Sequence, residues 1–324
     1  MQSMLRCAIL DDYQHVALRC ADWDALRNSV AVEPIHEPIV DPARLAERLA
    51  GFDIIVAMRE RTPFDRALLE RLPALRLLVT TAMRNAAIDL QACSERGITV
   101  CGTHSHPGPA AELTWGLILA LAREIPREVA GFRHGGWQTT LGRSLHGATL
   151  GILGVGKIGT QMAAVGSAFG MPVTGWSRSL TPARAAELGI YHAPTPQAVL
   201  QSADIVTIHL ALSKETRGLI GRDEIALMKP DALLVNTSRG PIVDEAALVE
   251  ALTTRRLAGA ALDVYDREPL PVDHPLRTLP NVVATPHIGY VTRENYAFFY
   301  GDAVDDIRQW IAGTPVRVLT VPAK

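Results

Sequence analysis

The chain of 324 residues is 48% hydrophobic and 20% charged, enough apolar material for about two well-filled domains. A formal net charge of −2 supplies no field to draw in nucleic acid or anionic lipid, and the longest strongly apolar stretch, residues 113–122, falls well short of the ~20 residues of a membrane span. Its four cysteines, Cys7, Cys20, Cys93 and Cys101, follow no zinc or disulfide spacing, and Met1-Gln2-Ser3-Met4 does not resemble a secretion signal, so a soluble cytoplasmic protein is expected.

In chain order, residues 5–10 read as an apolar strand. Helical spacing follows through Val16, Leu18, Trp23 and Leu26, and residues 30–35 return as a strand. Asp41-Pro42 opens a helix with proline in its first turn. Strands over 53–58, 75–80 and 98–101 then alternate with helices over 64–72 and 88–96, the second stopped by Gly97. From Pro107 the pattern changes, with one long apolar helix over 109–123 and another over 126–132. A second alternating series starts with a strand at 149–153. Its further strands are 173–176, 205–209, 233–236, 259–264 and 282–285, and its helices are 161–169, 182–188, 223–227 and 244–253. A final helix spans 293–311. Repeated strand–helix–strand units imply parallel sheets covered on both faces. Two such series predict two α/β domains, the chain passing from the first into the second and back, with the ligand in the cleft between them.

The second series opens on the most informative stretch. The strand breaks into Gly154-Val155-Gly156-Lys157-Ile158-Gly159 and a helical pattern follows, which is GxGxxG in the strand–turn–helix setting of a dinucleotide site. Gly154 permits the turn, Gly156 lets backbone approach a pyrophosphate, and Gly159 lets helix and strand pack closely. The next strand should end in an acid that bonds the adenosine ribose, about 20 positions on. Here it ends in Ser177-Arg178-Ser179. A guanidinium between two hydroxyls suits a phosphate dianion, so the reading favours NADP(H) over NAD(H). The alternative is that Arg178 is a solvated charge or stacks on adenine and either cofactor is used.

Three later strand ends carry unusual polar residues: Arg239 after Asn236-Thr237-Ser238, Asp263 at the end of 259–264 with Glu268 beyond it, and His287 after Thr285-Pro286. Chemistry in open α/β sheets gathers at the carboxyl ends of strands. Arg239 can grip a substrate carboxylate and polarise a keto oxygen. His287 can give a proton to that oxygen or take it back, and Glu268 can hold the other ring nitrogen and fix the tautomer. His104 and His106 lack a third ligand at metal spacing and read as hinge or surface residues, so no metal is expected. Trp115 and Trp137 read as packing residues.

On these blocks the chain resembles the D-isomer-specific 2-hydroxyacid dehydrogenase family, in the manner of glyoxylate/hydroxypyruvate reductases, over nearly its whole length. The blocks are the glycine turn, Met228-Lys229-Pro230 through Asn236-Thr237-Ser238-Arg239-Gly240, the aspartate segment around Asp263, and Pro286-His287-Ile288-Gly289. The resemblance implies two Rossmann-like domains, a flavodoxin-like substrate domain from 1–103 plus 290–324 and a dinucleotide-binding domain from 104–289. It implies Arg239, Glu268 and His287 as the catalytic residues, interconverting a small 2-keto acid and its D-2-hydroxy acid. Asp263 would hold the nicotinamide carboxamide, and Lys157 and Ile158 would lie along the pyrophosphate. Thr237, Gly289 and the loop His209-Leu210-Ala211 would line the cofactor, Ala211 standing where many relatives have proline. A homodimer joined through the nucleotide domains is also implied.

The chain departs from the family where relatives carry a glycine-rich substrate loop. It has Thr81-Ala82-Met83-Arg84-Asn85-Ala86 there, and Arg59 and Thr62 of the preceding loop fit the usual pattern while Arg61 is less usual. Arg59, Met83, Arg84 and Asn85 are the expected substrate residues, with Arg84 favouring a second anionic or strongly polar substrate group; the alternative pairs Arg84 with a nearby acid. Formate- and phosphite-oxidising relatives use the same scaffold, and so do nucleotide-sensing corepressors, which would add long disordered tails.

Overall fold

Short polar residues set the starts of most helices. The computed structural model describes residues 4–321. Asp41 caps Pro42–Leu49, Asp65 caps Arg66–Glu70, Asp89 caps Leu90–Glu95, Thr181 caps Pro182–Glu187, Asp244 caps Glu245–Thr253 and Thr292 caps Arg293–Ile311. In each the side chain accepts from an amide of the first turn, an interaction worth ~1 kcal/mol.

The chain divides into two compact units, one running to His106 and resuming at Val291, the other Pro107–Tyr290. In the first, β1 (Leu5–Ile9), β2 (Val30–Pro34), β3 (Ile54–Ala57), β4 (Leu77–Thr80) and β5 (Thr99–Gly102) form a parallel sheet in the order β2-β1-β3-β4-β5. That is the flavodoxin-like order. Every residue of β3 and β4 is buried, as a sheet covered on both faces requires. Leu49, Phe52, Phe64, Leu69 and Leu72 fill the core on one side. Helix Arg293–Ile311 packs against β4 and the 3-10 turn at Trp23, and its Phe299 and Tyr300 are fully buried. Residues 317–319 then close on β5, with Gly102 N donating to Arg317 O and Leu319 N to Val100 O.

The second unit holds β6 (Leu150–Leu153), β7 (Val173–Trp176), β8 (Tyr191–His192), β9 (Ile205–Ile208), β10 (Leu233–Asn236), β11 (Gly259–Leu262) and β12 (Val282–Ala284). They are parallel, in the order β12-β11-β10-β9-β6-β7-β8. Counted from β6 this is the dinucleotide-binding strand order with a strand added at one edge, and its direction reverses between β6 and β9. Ligands of such sheets bind outside the carboxyl ends at that reversal.

Four features differ from expectation. The spacing from Val16 to Leu26 resolves into two 3-10 turns, Ala17–Arg19 and Trp23–Leu26, because Asp12 Oδ1 caps the first and the Trp23 indole N–H reaches back to Ala17 O at 2.9 Å. The helix after the glycine turn begins at Lys157, so Gly159 lies inside its first turn. Helix Pro196–Ser202 and the two-residue β8 add to the second series; Thr195-Pro196 gave the helix the same cap-and-proline signal as Thr181-Pro182. Trp115 is buried against Phe169, but Trp137 is 76% exposed and does not serve the core. Its ring lies 6.3 Å from that of Phe132, which with Val129 is exposed on helix Ile125–Arg133, a helix that buries none of its residues.

Candidate active site

The reversal between β6 and β9 is where the glycine turn lies. Gly154 has φ +103°, and a Cβ there would stand 2.5 Å from His209 O, so only glycine fits. Gly154 N donates to Trp176 O and His209 N to Leu153 O, lacing the turn to the ends of β7 and β9. Around Gly156 a Cβ would meet nothing within 4 Å. This residue opens helix Lys157–Ala168 with no side-chain cap, unlike the helices above. The first-turn amides thus have no side-chain cap, and the uncrowded backbone at Gly156 leaves room for close approach, which fits a pyrophosphate. Gly159 seals the back of the turn, since its Cβ would lie 2.1 Å from Gly154 O. Lys157 is exposed, while Ile158 packs partly into the core.

Beyond β7, Ser177 is half-buried and accepts from Leu180 N in a turn that leaves Arg178 and Ser179 exposed. Beyond β9, His209 Nε2 is 2.8 Å from Thr207 Oγ1, and burial pulls its imidazole down to about 4, so it is neutral at pH 7. Leu210 packs against the core, and Ala211 is exposed with its carbonyl held by Thr216 Oγ1 at 2.7 Å.

Beyond β10, buried Asn236 shapes the turn. Its Oδ1 accepts from Ser238 N and Oγ, and its Nδ2 donates to Arg239 O at 2.9 Å. Thr237 Oγ1 lies 2.8 Å from Thr114 Oγ1 of helix Pro109–Ala122. Half-buried Arg239 donates to Ser238 O at 2.6 Å. Gly240 lets this turn lie against the end of β11, since a Cβ there would be 2.1 Å from the Tyr265 carbonyl carbon.

The ends of β11 and β12 bring Glu268 and His287 together. Glu268 Oε1 accepts from Tyr265 N at 3.0 Å, and Oε2 lies 2.5 Å from His287 Nδ1. A carboxylate there makes Nδ1 a donor and leaves Nε2 as the nitrogen that exchanges a proton. Tyr265 donates its hydroxyl to Thr285 O at 2.8 Å, tying the two strand ends together, and the Tyr290 ring meets the His287 ring edge-on.

Asp263 controls the backbone of the histidine loop. It is fully buried; Oδ1 accepts from Thr285 Oγ1 at 2.6 Å and Ile288 N at 2.8 Å, and Oδ2 from Gly289 N at 2.8 Å. Burial raises its carboxyl above the ordinary value, while these donors and the His287 charge act in the opposite direction. These bonds clamp His287, whose φ is +53°, between two fixed points. The resemblance implies a carboxamide contact for Asp263; the structure gives its oxygens to the chain's own loop. Gly289 lies close beside it, a Cβ there coming within 3.1 Å of Oδ2.

In the other unit, the loops after β3 and β4 are braced together. Arg59 N donates to Thr81 Oγ1 at 2.8 Å, and Asn85 Nδ2 donates to Arg59 O and Thr80 Oγ1 while Oδ1 accepts from Ala87 N. Asn85, expected at the substrate, therefore spends its amide on the loops themselves. Ala82 takes φ +83°, a region that favours glycine, and its amide is fixed by Thr103 Oγ1. Met83 and Arg84 follow it on the exposed side. Arg61 donates to Asp11 O at 3.1 Å and lies over the Tyr13 ring, and Thr62 donates to Asp11 Oδ2. Both thus turn toward the loop after β1. His104 pairs with Asp302 at 2.8 Å, and the described residues hold no cluster suited to a metal.

Sequence reasoning passed over Thr114, Asn236, Tyr265, Thr285 and Tyr290. Asn236, Tyr265 and Thr285 stand within or beside the motif blocks. Their hydrogen bonds shape turns, and hydrophobic periodicity carries no signal for those.

A parallel sheet in dinucleotide-binding order, an open glycine turn at its reversal and a carboxylate–imidazole pair at neighbouring strand ends define an NAD(P)-binding oxidoreductase scaffold. Comparison with known proteins fixes the family. Residues 115–289 match the D-isomer specific 2-hydroxyacid dehydrogenase, NAD binding domain. A glyoxylate reductase of Aeropyrum pernix is 41% identical over 274 residues, covering 81% of this chain and 78% of that protein. A D-3-phosphoglycerate dehydrogenase of Methanocaldococcus jannaschii is 38% identical over 253 residues, covering 77% of this chain, which spans 48% of that relative's length. The crystal structure of a phosphoglycerate oxidoreductase from Vibrio cholerae superposes with a TM-score of 0.89 at 37% identity, covering 96% of this chain and 100% of that one. The chain belongs to the D-isomer-specific 2-hydroxyacid dehydrogenase family.

Proposed function

We propose that this protein interconverts a small 2-keto acid and its D-2-hydroxy acid with a nicotinamide cofactor, NADP(H) in preference to NAD(H). The unit Pro107–Tyr290 acts as the dinucleotide-binding domain and the other unit as the substrate-binding domain. A nicotinamide bound in the first supplies or accepts the hydride equivalent. The chain's own residues do the rest. His287 Nε2 gives a proton to the keto oxygen in reduction and removes it from the hydroxyl in oxidation. Glu268 keeps the ring in the orientation and tautomer this needs, and Asp263 holds the loop that carries it. Arg239 binds the carboxylate and polarises the keto group. The Gly154–Gly159 turn, Lys157 and Ile158 take the pyrophosphate; Ser177, Arg178 and Ser179 take the 2′-phosphate; His209, Leu210, Ala211 and Thr237 line the rest.

The observation that carries this reading is the 2.5 Å contact of Glu268 Oε2 with His287 Nδ1, at strand ends beside a dinucleotide turn. Arg59, Met83 and Arg84 are the proposed substrate contacts, with Arg84 selecting a second anionic or polar group. The exposed Phe132–Trp137 ring pair supports a homodimer, which sedimentation of the purified chain would test. A panel of 2-keto acids, led by glyoxylate and hydroxypyruvate and assayed with NADPH and NADH, tests the function. Turnover of at least one acid, faster with NADPH, is expected. No turnover of any acid despite cofactor binding would defeat the proposal, and Arg84→Ala leaving every active substrate unchanged would remove Arg84 from it.

A further inference from the structure

We propose that Glu245 and His274 are positioning residues for the reaction, a second carboxylate–imidazole pair that fixes the backbone from which Glu268 is held. The inference rests on the reading that Glu268 orients His287 at the chemical step. The two pairs meet at successive amides. Tyr265 N donates to Glu268 Oε1 at 3.0 Å, and the next amide, Asp266 N, donates to Glu245 Oε2 at 3.1 Å. The other oxygen of each carboxylate faces an imidazole: Glu268 Oε2 lies 2.5 Å from His287 Nδ1, and Glu245 Oε1 lies 3.2 Å from His274 Nε2.

Both ends of the second pair are themselves anchored. His274 caps the 3-10 turn Pro275–Arg277, its Nδ1 accepting from Leu276 N at 3.3 Å, so the ring proton sits on Nε2 and is donated to Glu245. Arg277 closes that turn by donating to Pro271 O at 2.8 Å and Leu270 O at 2.6 Å, and Leu270 and Leu276 root it in the core. On the other side, Glu245 opens helix Glu245–Thr253 directly after its cap Asp244, whose N donates to Ile220 O at 2.9 Å. The Glu245 and His274 side chains are only 19% and 20% exposed, so water competes little for their bond.

The two amides belong to planar peptide units joined at the Tyr265 Cα, so pinning one leaves the other only the two dihedrals of that residue. Gly240 presses on the same unit from the Arg239 turn, where a Cβ would stand 2.7 Å from Asp266 N. Glu245 leaves the same connection after β10 as Arg239, and its bonds therefore tie the Arg239 turn to the loop that carries Glu268. Both partners of Glu245 are donors, so a carboxylate satisfies them and a glutamine would turn its NH2 on one of them. A slackened Asp266 amide lets the Tyr265 amide, and Glu268 with it, drift from the orientation that His287 needs.

The test measures kcat, KM and cofactor affinity in the wild type, Glu245→Gln, His274→Asn, Glu268→Gln and the double variant Glu245→Gln/Glu268→Gln. His274→Asn keeps an oxygen for Leu276 N and removes the donor to Glu245, so it carries the test if Glu245→Gln folds poorly. Each of Glu245→Gln and His274→Asn should lower kcat about three- to thirtyfold and leave KM and cofactor affinity within about twofold of wild type. In the Glu268→Gln background, Glu245→Gln or His274→Asn should cost less than about twofold more, because the pair acts through Glu268. A kcat unchanged in both single variants, or an equal loss with and without the Glu268 carboxylate, overturns the role of the pair and leaves that of Glu268 standing. If Glu268→Gln itself leaves kcat unchanged, the reading beneath falls and this inference falls with it.

Discussion

Replacing Glu268 with glutamine probes the site at its narrowest point. The carboxylate serves two donors, Tyr265 N at 3.0 Å through Oε1 and His287 Nδ1 at 2.5 Å through Oε2. A glutamine has one carbonyl oxygen for the two. If that oxygen stays with the Tyr265 amide, the side-chain NH2 faces His287 and forces Nδ1 to accept. The neutral ring then carries its proton on Nε2, where oxidation of the alcohol needs a lone pair. The doubly protonated ring needed for reduction meets a donor in place of an acceptor. Loss of a hydrogen bond to a charged group costs about 1.5–3 kcal/mol, which lowers kcat by about ten- to a hundredfold. Volume and shape hardly change, so the melting temperature and cofactor affinity should stay near wild type. Steady-state kcat in both directions, with a cofactor titration of the same preparation, reads all of this. A kcat within twofold of wild type would refute the assigned role of Glu268.

Three further outcomes follow from the same geometry. Asp263→Asn leaves a donor facing Gly289 N or the Thr285 and Ile288 donors, at a cost of about 1–3 kcal/mol, so kcat and thermal stability should fall together in calorimetry and kinetics. Gly159→Ala places a methyl 2.1 Å from Gly154 O and should abolish dinucleotide binding in a fluorescence titration while lowering the melting temperature. His209 is held neutral when folded, with its value lowered from 6.5 to about 4. The unfolded chain takes up this proton first as pH falls, so stability present above 6.5 is lost between there and 4, by about 3 kcal/mol at most. His209→Gln should remove that part of the acid slope in melting curves from pH 7.5 to 5, and an unchanged slope would contradict the assignment.

Much of the architecture is legible in the sequence because parallel strands buried on both faces appear as short apolar runs. Ile54–Ala57 and Leu233–Asn236 are such runs, and Pro42–Leu49 and Pro182–Glu187 announce themselves by cap and proline. Helix Pro196–Ser202 carried the same signal and shows that the cue works on short helices as well. The pair of strand residues Tyr191–His192 has no period to read. At the site, the glycines and the Glu268–His287 pair follow from residue type and place. The clamp made by Asp263, the split loyalties of Asn236 and the bracing by Asn85 do not, because each depends on which amides a folded turn presents. Trp137 departs from its expected packing role for a related reason: composition marks an apolar residue as buried, and only the fold reveals which face is left uncovered.

The central claim is that His287 moves a proton at the chemical step and does little else. The most direct measurement compares His287→Ala with wild type for cofactor dissociation constant and for turnover of the best 2-keto acid in the panel. The account predicts affinity within about twofold and turnover reduced by about 10²–10⁴-fold. Turnover within a few-fold of wild type, or a loss of turnover matched by an equal loss of cofactor binding, would contradict it.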